Sequence, residues 1–520
     1  MSQDTKQNGK VELKRELGLF SAINLILAVM IGSGIFISPA SALQHSGSVA
    51  MCIIIWAVCG VISLLGALAF AELGTVVPRS GAEYAYFMDS FGPLHHFWGN
   101  LPAFLASWIY VVVLRPAEVA VIVLTFAEYF CQPIFDALCM QDLVLGDHVK
   151  KLVGILALGI ITYINVISVK LYIKIQNIFV KLYIKIQNIF SSFKVIACLI
   201  VIFGGIYELA IGNTANLNKG FEGTNFHPGS LALAFYSGLW AYDGWSSITT
   251  VTEEVKRPEI NIPRSIAISV PIVTILYVFM NIAYMTVLSI PEMIHSPAVA
   301  YTFGERVLGP FAFVIPLGVA LSTFGCALSI QFGVTRLCYV ASQDGNMLRS
   351  MSFVHVKRLT PAPAVVTQGI IAFIFIVIGN IVALIEFASF FIWVFYGTAM
   401  ISLLILRKTM KDVPRPYTVP IWIPIFIALV AVFLSIFEIL TYIFQVPIWI
   451  PIFIALVAVF LSVVPIVSEP SIKYLFSIGF IVLGTLVYYW FVYKKRRPRI
   501  MNKLTYFIQV AFEALPPHEE

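Results

Sequence analysis

"VMIGSGIFISP", residues 29–39, places Gly32, Ser33 and Gly34 in the middle of an apolar run that extends from about residue 19 to residue 44. Two glycines around a serine weaken a helix, and at membrane depth a broken backbone is tolerated only where it lines a cavity or is covered by protein. A break here frees backbone N–H groups. The half-helix that begins near Ser33 would then aim its positive end at an anion such as a carboxylate. The same three residues also suit a small-residue patch for close helix packing, with no ligand.

The rest of the chain gives that run its setting. Of 520 residues, 59% are hydrophobic and 12% charged, and the mean hydropathy is +0.91. Runs of roughly 20 apolar residues, the length that crosses about 30 Å of hydrocarbon as a helix, recur from Leu17 to Tyr493. The expected fold is an all-α polytopic membrane protein with spans near 19–44, 48–76, 98–128, 149–168, 178–207, 229–252, 266–290, 307–341, 362–380, 383–406, 417–441 and 471–493. Residues 1–16 read as an N-terminal tail, 17–493 as the membrane domain and 494–520 as a C-terminal tail. Lys10, Lys14, Arg15, Arg79, Lys256, Arg257, Arg264, Arg349, Lys357, Arg358, Arg407, Lys408, Lys411, Arg415 and the "KKRRPR" run after the last span all fall on one side. The positive-inside rule then puts both termini in the cytoplasm and requires an even number of spans. The net charge of +6 belongs to topology and lipid attraction rather than to nucleic acid.

A second interruption lies in "SGLWAYDGWSS", residues 237–247, where Gly238 and Gly244 again weaken an apolar run and Asp243 adds a carboxylate. Interrupted helices at corresponding positions of two repeats point to a transporter binding site. An intramembrane aspartate costs several kcal/mol unless it meets water, a partner or a cation, so Asp243 is either a functional group or half of a structural ion pair. Lys194 is the lysine well inside an apolar run; it either snorkels to the surface or is held at depth. Glu386 in "LIEFASFFIWVFYG" faces the pathway or pairs with a polar neighbour, and Ser389 and Phe390 are candidates to line the same cavity.

Other features exclude functions. No Walker loop, HExxH, GxSxG elbow or spaced Cys/His set occurs, so neither ATP-driven pumping, metal chemistry nor hydrolysis is expected, and no cofactor or metal is assigned. His95 and His96 read as interfacial. Cys52, Cys59, Cys198, Cys326 and Cys338 fall in spans as packing residues, while Cys131 and Cys139 fall in an external loop where a disulfide is permitted. Two segments are written twice: "VKLYIKIQNIF" across 169–190, and "VPIWIPIFIALVAVFLS" at 419–435 and again at 446–462. Solenoid repeats are diverged and need several units, so these perfect pairs read as insertions rather than functional repeats.

With these residues in view, the chain resembles the light chains of heteromeric amino-acid transporters, within the amino acid–polyamine–organocation superfamily. The likeness runs from about Leu13 to Pro517 and rests on "IGSGIFISP", "GALAFAELGTVVPRSGAEYAY", "LAFYSGLWAYDGWSSITTVTEEVKRPEINIPRSI", "VKRLTPAPAV" and "RPYTVPIWIP". The resemblance implies twelve transmembrane helices of the LeuT type, with two inverted five-helix repeats, two added helices, and breaks in helices 1 and 6. It implies no enzyme activity but sodium-independent exchange of amino acids. By that likeness the backbone at Ile31, Gly32, Ser33 and Gly34 would hold the substrate's carboxylate and part of its amino group. Carbonyls around Leu239, Trp240 and Tyr242 would complete the amino site, Trp240 would act as a lid, and Lys194 would stand where related folds bind sodium. "WAYDGW" looks most like the type that exchanges cystine and cationic amino acids for neutral ones, with Asp243 beside the side-chain pocket. The implied partner is a single-span glycoprotein heavy chain of the rBAT or a related type, joined through Cys139 or, alternatively, Cys131, at the plasma membrane. Ala40, Leu328 and Glu386 depart from the family pattern. The alternatives are an exchanger of large neutral amino acids, in which Asp243 pairs internally, and a non-transporting amino-acid receptor on the same fold.

Overall fold

Helices that are apolar on nearly every face are stable only in lipid or in a core, and that composition dictates the architecture. In the computed structural model, described over residues 17–77, 82–95, 97–138, 143–167, 195–343, 345–355, 361–379, 381–441, 472–494, 499–512 and 514–515, the chain is overwhelmingly helical. Lys194, Cys139, the 169–190 repeat and the second copy at 446–462 lie outside the described residues.

The first apolar run forms two helices, α1 (Leu19–Met30) and α2 (Gly34–Ser46). Helix α3 (Val49–Val76) follows, with Ser48 as its N-cap: the hydroxyl accepts from the Met51 amide at 3.4 Å. After the short α4 (Glu83–Phe91), α5 (Leu101–Ile109) and α6 (Arg115–Ala137) form one long rod joined by a π-turn at Tyr110–Leu114. Next come α7 (Leu143–Ile167) and α8 (Val195–Ala210). The second interrupted run gives α9 (Pro228–Ala241) and a 3-10 stretch at Trp245–Glu254. The remaining helices are α10 (Pro258–Val287), α11 (Ile290–His295), α12 (Val299–Leu308), α13 (Val314–Gln343), α14 (Ala362–Ile378), α15 (Ile381–Thr409), α16 (Trp422–Thr441), α17 (Ile472–Val487) and α18 (Arg499–Ala511). A two-residue antiparallel pair, Val354 opposite Leu515 and His355 opposite Ala514, ties the chain after α18 to the α13–α14 connection.

Among the described residues, six helices are long and apolar enough to cross a membrane, and four shorter apolar helices accompany them. Their outer faces carry what a soluble protein would bury: Leu152, Leu156, Ile160 and Tyr163 recur along an exposed stripe of α7. The interior is dry and aromatic, with Trp56, Tyr236, Tyr242, Tyr277 and Tyr284 fully buried.

One fully buried carboxylate in this interior is paired with two arginines. Glu72, fully buried near the end of α3, accepts from Arg407 Nε at 2.9 Å, from an Arg415 guanidinium nitrogen at 3.2 Å and from the Val419 amide at 2.8 Å. One carboxylate thereby fastens α3, the end of α15 and the start of the first 419–435 copy together.

The end of α6 departs from the sequence reading. Cys131, expected in a loop, lies on α6 and is buried, because the helix continues to Ala137. Two contacts hold those extra turns: Lys150 of α7 binds Glu128 at 2.5 Å, and Gln132 donates to Asp136 at 3.2 Å one turn on. Cys52, Cys59, Cys198, Cys326 and Cys338 are all buried.

Candidate functional site

The two interrupted helices cross at their breaks, and glycine permits the approach. A Cβ on Gly34 would stand 2.4 Å from the Ala241 Cα, so α2 and α9 touch backbone to backbone. Gly244 adopts φ +104°, a region that favours glycine, and a side chain there would meet Val29 at 2.5 Å. Tyr277 of α10 braces the crossing. Its hydroxyl donates to the Met30 carbonyl at 2.7 Å and lies 3.2 Å from the Ala241 carbonyl, so one phenol serves the last residues of α1 and α9. The Ser41 and Ser237 hydroxyls, 2.9 Å apart, add a second link between α2 and α9.

At the first break, Ile31 N–H bonds the Leu27 carbonyl at 2.9 Å and Gly32 N–H bonds Met30 at 2.8 Å. The N–H groups of Ser33, Gly34 and Ile35 find no backbone acceptor among the described residues, as first-turn donors of a helix do. They lie at the positive end of α2, a set of backbone donors suited to a carboxylate.

Leu239, Trp240, Asp243 and Ser389 line one narrow cavity, walled also by Ser63, Trp245, Ile392, Trp393 and Tyr396. The buried Ser389 hydroxyl has no hydrogen-bond partner among the described residues. Asp243 Oδ1 accepts from the Tyr396 hydroxyl of α15 at 2.5 Å. Aromatic rings close round this bond: Trp245 lies 4.7 Å and Trp393 5.7 Å from Tyr396. Tyr242 points away from the cavity into a cluster with Trp56 and Tyr277, at 6.0 and 5.0 Å. Phe390 packs on Phe391 at 5.4 Å and does not line the cavity, and Glu386 is half-buried on the same helix. His95 is exposed, its Nδ1 accepting from the Phe97 and Trp98 amides at 3.1 and 3.2 Å.

Several residues near the site escaped the sequence reading. Tyr396 sits in the aromatic run "FFIWVFYG", where nothing separates it from packing residues. Arg115 and Glu118 bind each other at 2.6 Å on α6. Glu83, buried at the start of α4, accepts from Tyr110 at 3.3 Å. The intramembrane-charge rule that singled out Asp243 would have found Arg115 and Glu118 within the 98–128 run.

The cavity lies at the second break and carries the Asp243 carboxylate on its wall; Ile31, Gly32, Ser33 and Gly34 are not among its lining residues, although Gly34 touches Ala241 beside it. Residues 17–467 match the family model described as "Amino acid permease". The chain belongs to the amino acid permease family. The permease is 41% identical over 527 residues to the b(0,+)-type amino acid transporter 1 of Mus musculus, covering 100% of this chain and 98% of the relative. It is 36% identical over 517 residues to the cystine/glutamate transporter of Homo sapiens, covering 98% and 93%. To the large neutral amino acids transporter small subunit 2 of Mus musculus it is 37% identical over 434 residues, covering 83% and 77%. The permease is thus a polytopic membrane protein of amino-acid transport and not an enzyme.

Proposed function

We propose that this permease exchanges cationic for neutral L-amino acids without sodium, with cystine as a further substrate, as the light chain of a disulfide-linked heterodimer in the plasma membrane. The fold in which it would do so is the twelve-helix LeuT type with both termini cytoplasmic. The observation that carries the reading is Asp243 on the wall of a cavity at the second helix break, which the first break meets at Gly34 and Ala241. The backbone at Ile31, Gly32, Ser33 and Gly34 holds the substrate carboxylate and part of its amino group. Carbonyls around Leu239, Trp240 and Tyr242 complete the amino site, and Trp240 covers it. A guanidinium or ammonium side chain pairs with Asp243, where low dielectric strengthens a charge-assisted hydrogen bond. Lys194 supplies the fixed charge that removes the need for sodium, and Cys139, or Cys131 in its place, joins a heavy chain of the rBAT or a related type. Buried Cys131 suits that link less well than a cysteine beyond the end of α6.

The short bond from Tyr396 to Asp243 favours a second reading, in which the carboxylate is satisfied internally and the substrates are large and neutral. Uptake by an Asp243→Ala variant separates the two. If Asp243 receives the cationic side chain, the arginine-to-leucine uptake ratio falls by about two orders of magnitude, as for loss of a desolvated charge pair; an unchanged ratio contradicts the reading.

A further inference from the structure

Arg115 opens α6 directly after the π-turn, and Glu118 lies one turn further on the same face. The guanidinium donates to Glu118 Oε2 at 2.6 Å and sits over the Tyr110 ring, 5.2 Å from its centroid. The Tyr110 hydroxyl is engaged by Glu83 at 3.3 Å. The Tyr110 ring packs 5.4 Å from Phe395, the residue before the Tyr396 that donates to Asp243, so a chain of packed rings leads from the ion pair to the helix that holds the cavity carboxylate.

An unneutralised guanidinium here, with 31% of its side chain exposed, would oppose a cationic substrate at Asp243 in either of two ways: it would pair with the carboxylate, or it would repel the incoming cation across a partly screening medium. Glu118 prevents both. We infer that, given the proposed pairing of Asp243 with a cationic side chain, Glu118 is a specificity-determining residue: by neutralising Arg115 it keeps the Asp243 carboxylate available to guanidinium and ammonium substrates. Glu118 acts through Arg115 and is a positioning residue rather than a substrate contact.

The test is the uptake kinetics of arginine and leucine in sodium-free proteoliposomes loaded with leucine, for the wild type, Glu118→Gln, Arg115→Gln and the double variant. Glu118→Gln is expected to raise the arginine KM about tenfold while the leucine KM changes less than about twofold. The double variant removes charge and counter-charge together and is expected to return the arginine KM to within about threefold of wild type. Arg115→Gln alone leaves an extra negative charge and is expected to raise the preference for arginine. A parallel rise of both KM values in Glu118→Gln, a double variant as poor for arginine as the single one, or an Arg115→Gln variant with a lowered preference would overturn the assignment. Should Glu118→Gln fail to fold, the Arg115→Gln and double variants still decide it. Wild-type vesicles that exchange leucine but never arginine would overturn the Asp243 pairing and this role with it. Arginine uptake in wild type together with an indifferent Glu118→Gln overturns the role of Glu118 alone.

Discussion

Gly34 shows how a single missing side chain sets the geometry of the site. With a Cβ projected 2.4 Å from the Ala241 Cα, even alanine must push α2 away from α9. Overpacking of this kind costs about 1–3 kcal/mol, and here it would displace α9, which carries Leu239 and Trp240 of the cavity wall. Gly34→Ala is therefore expected to lower substrate affinity at least about tenfold, with a smaller loss of thermal stability, read as uptake KM and apparent melting temperature. Wild-type KM in that variant would separate the crossing from binding. Gly34 and Asp243 were legible in the sequence because each breaks a rule: glycine beside serine in mid-span, and a carboxylate among apolar residues. Tyr396 was not, since a phenol within an aromatic run breaks none. Arg115 and Glu118 break the rule that exposed Asp243, yet "RPAE" also reads as a helix start, with a proline in the first turn and an acid near the N-terminus.

At the scale of elements, charged groups act as clasps between helices. The Glu72 carboxylate is fully buried and serves two arginines and an amide, so Glu72→Gln leaves Arg407 and Arg415 without their anion. Breaking a buried pair by removing one partner costs about 3–5 kcal/mol. The expected result is a melting temperature in detergent depressed by several degrees, and an unchanged one would deny the clasp its structural role. Glu292 is an exposed counterpart outside the spans. Its carboxylate accepts from the Ser289 amide at 2.9 Å and hydroxyl at 2.7 Å, and also binds Arg306. These bonds, the Ser289 amide foremost, hold the Glu292 carboxyl below the usual range. A lowered folded pKa gives stability that is present above the ordinary glutamate pKa, about 4.3, and is lost as pH falls through the folded value. Glu292→Gln should then lower the melting temperature slightly at neutral pH and progressively less as the pH is taken below the ordinary glutamate range, a difference that differential scanning checks. Helix breaks were readable at this scale, but the length of α6 was not. Its last turns are held by partners on α7 and by a pair within the helix rather than by apolar periodicity, and so Cys131 was expected in a loop.

Across the whole molecule, hydropathy revealed the helical membrane architecture because lipid imposes it: a backbone with no water around it must satisfy itself as a helix. The junctions between helices follow from contacts distant in sequence, such as Tyr277 to Met30 and Tyr396 to Asp243, which no local pattern encodes. The Tyr396–Asp243 junction lies on the cavity wall, and exchange is the proposed consequence of that site: a site that must be occupied before the two broken helices can reorient carries one substrate in for each carried out. The most direct measurement is efflux of labelled arginine from sodium-free proteoliposomes containing the permease alone, with and without external leucine. Efflux that requires external leucine is the predicted result; efflux that proceeds equally without it, or none from vesicles whose permease binds arginine, would contradict the exchange mechanism.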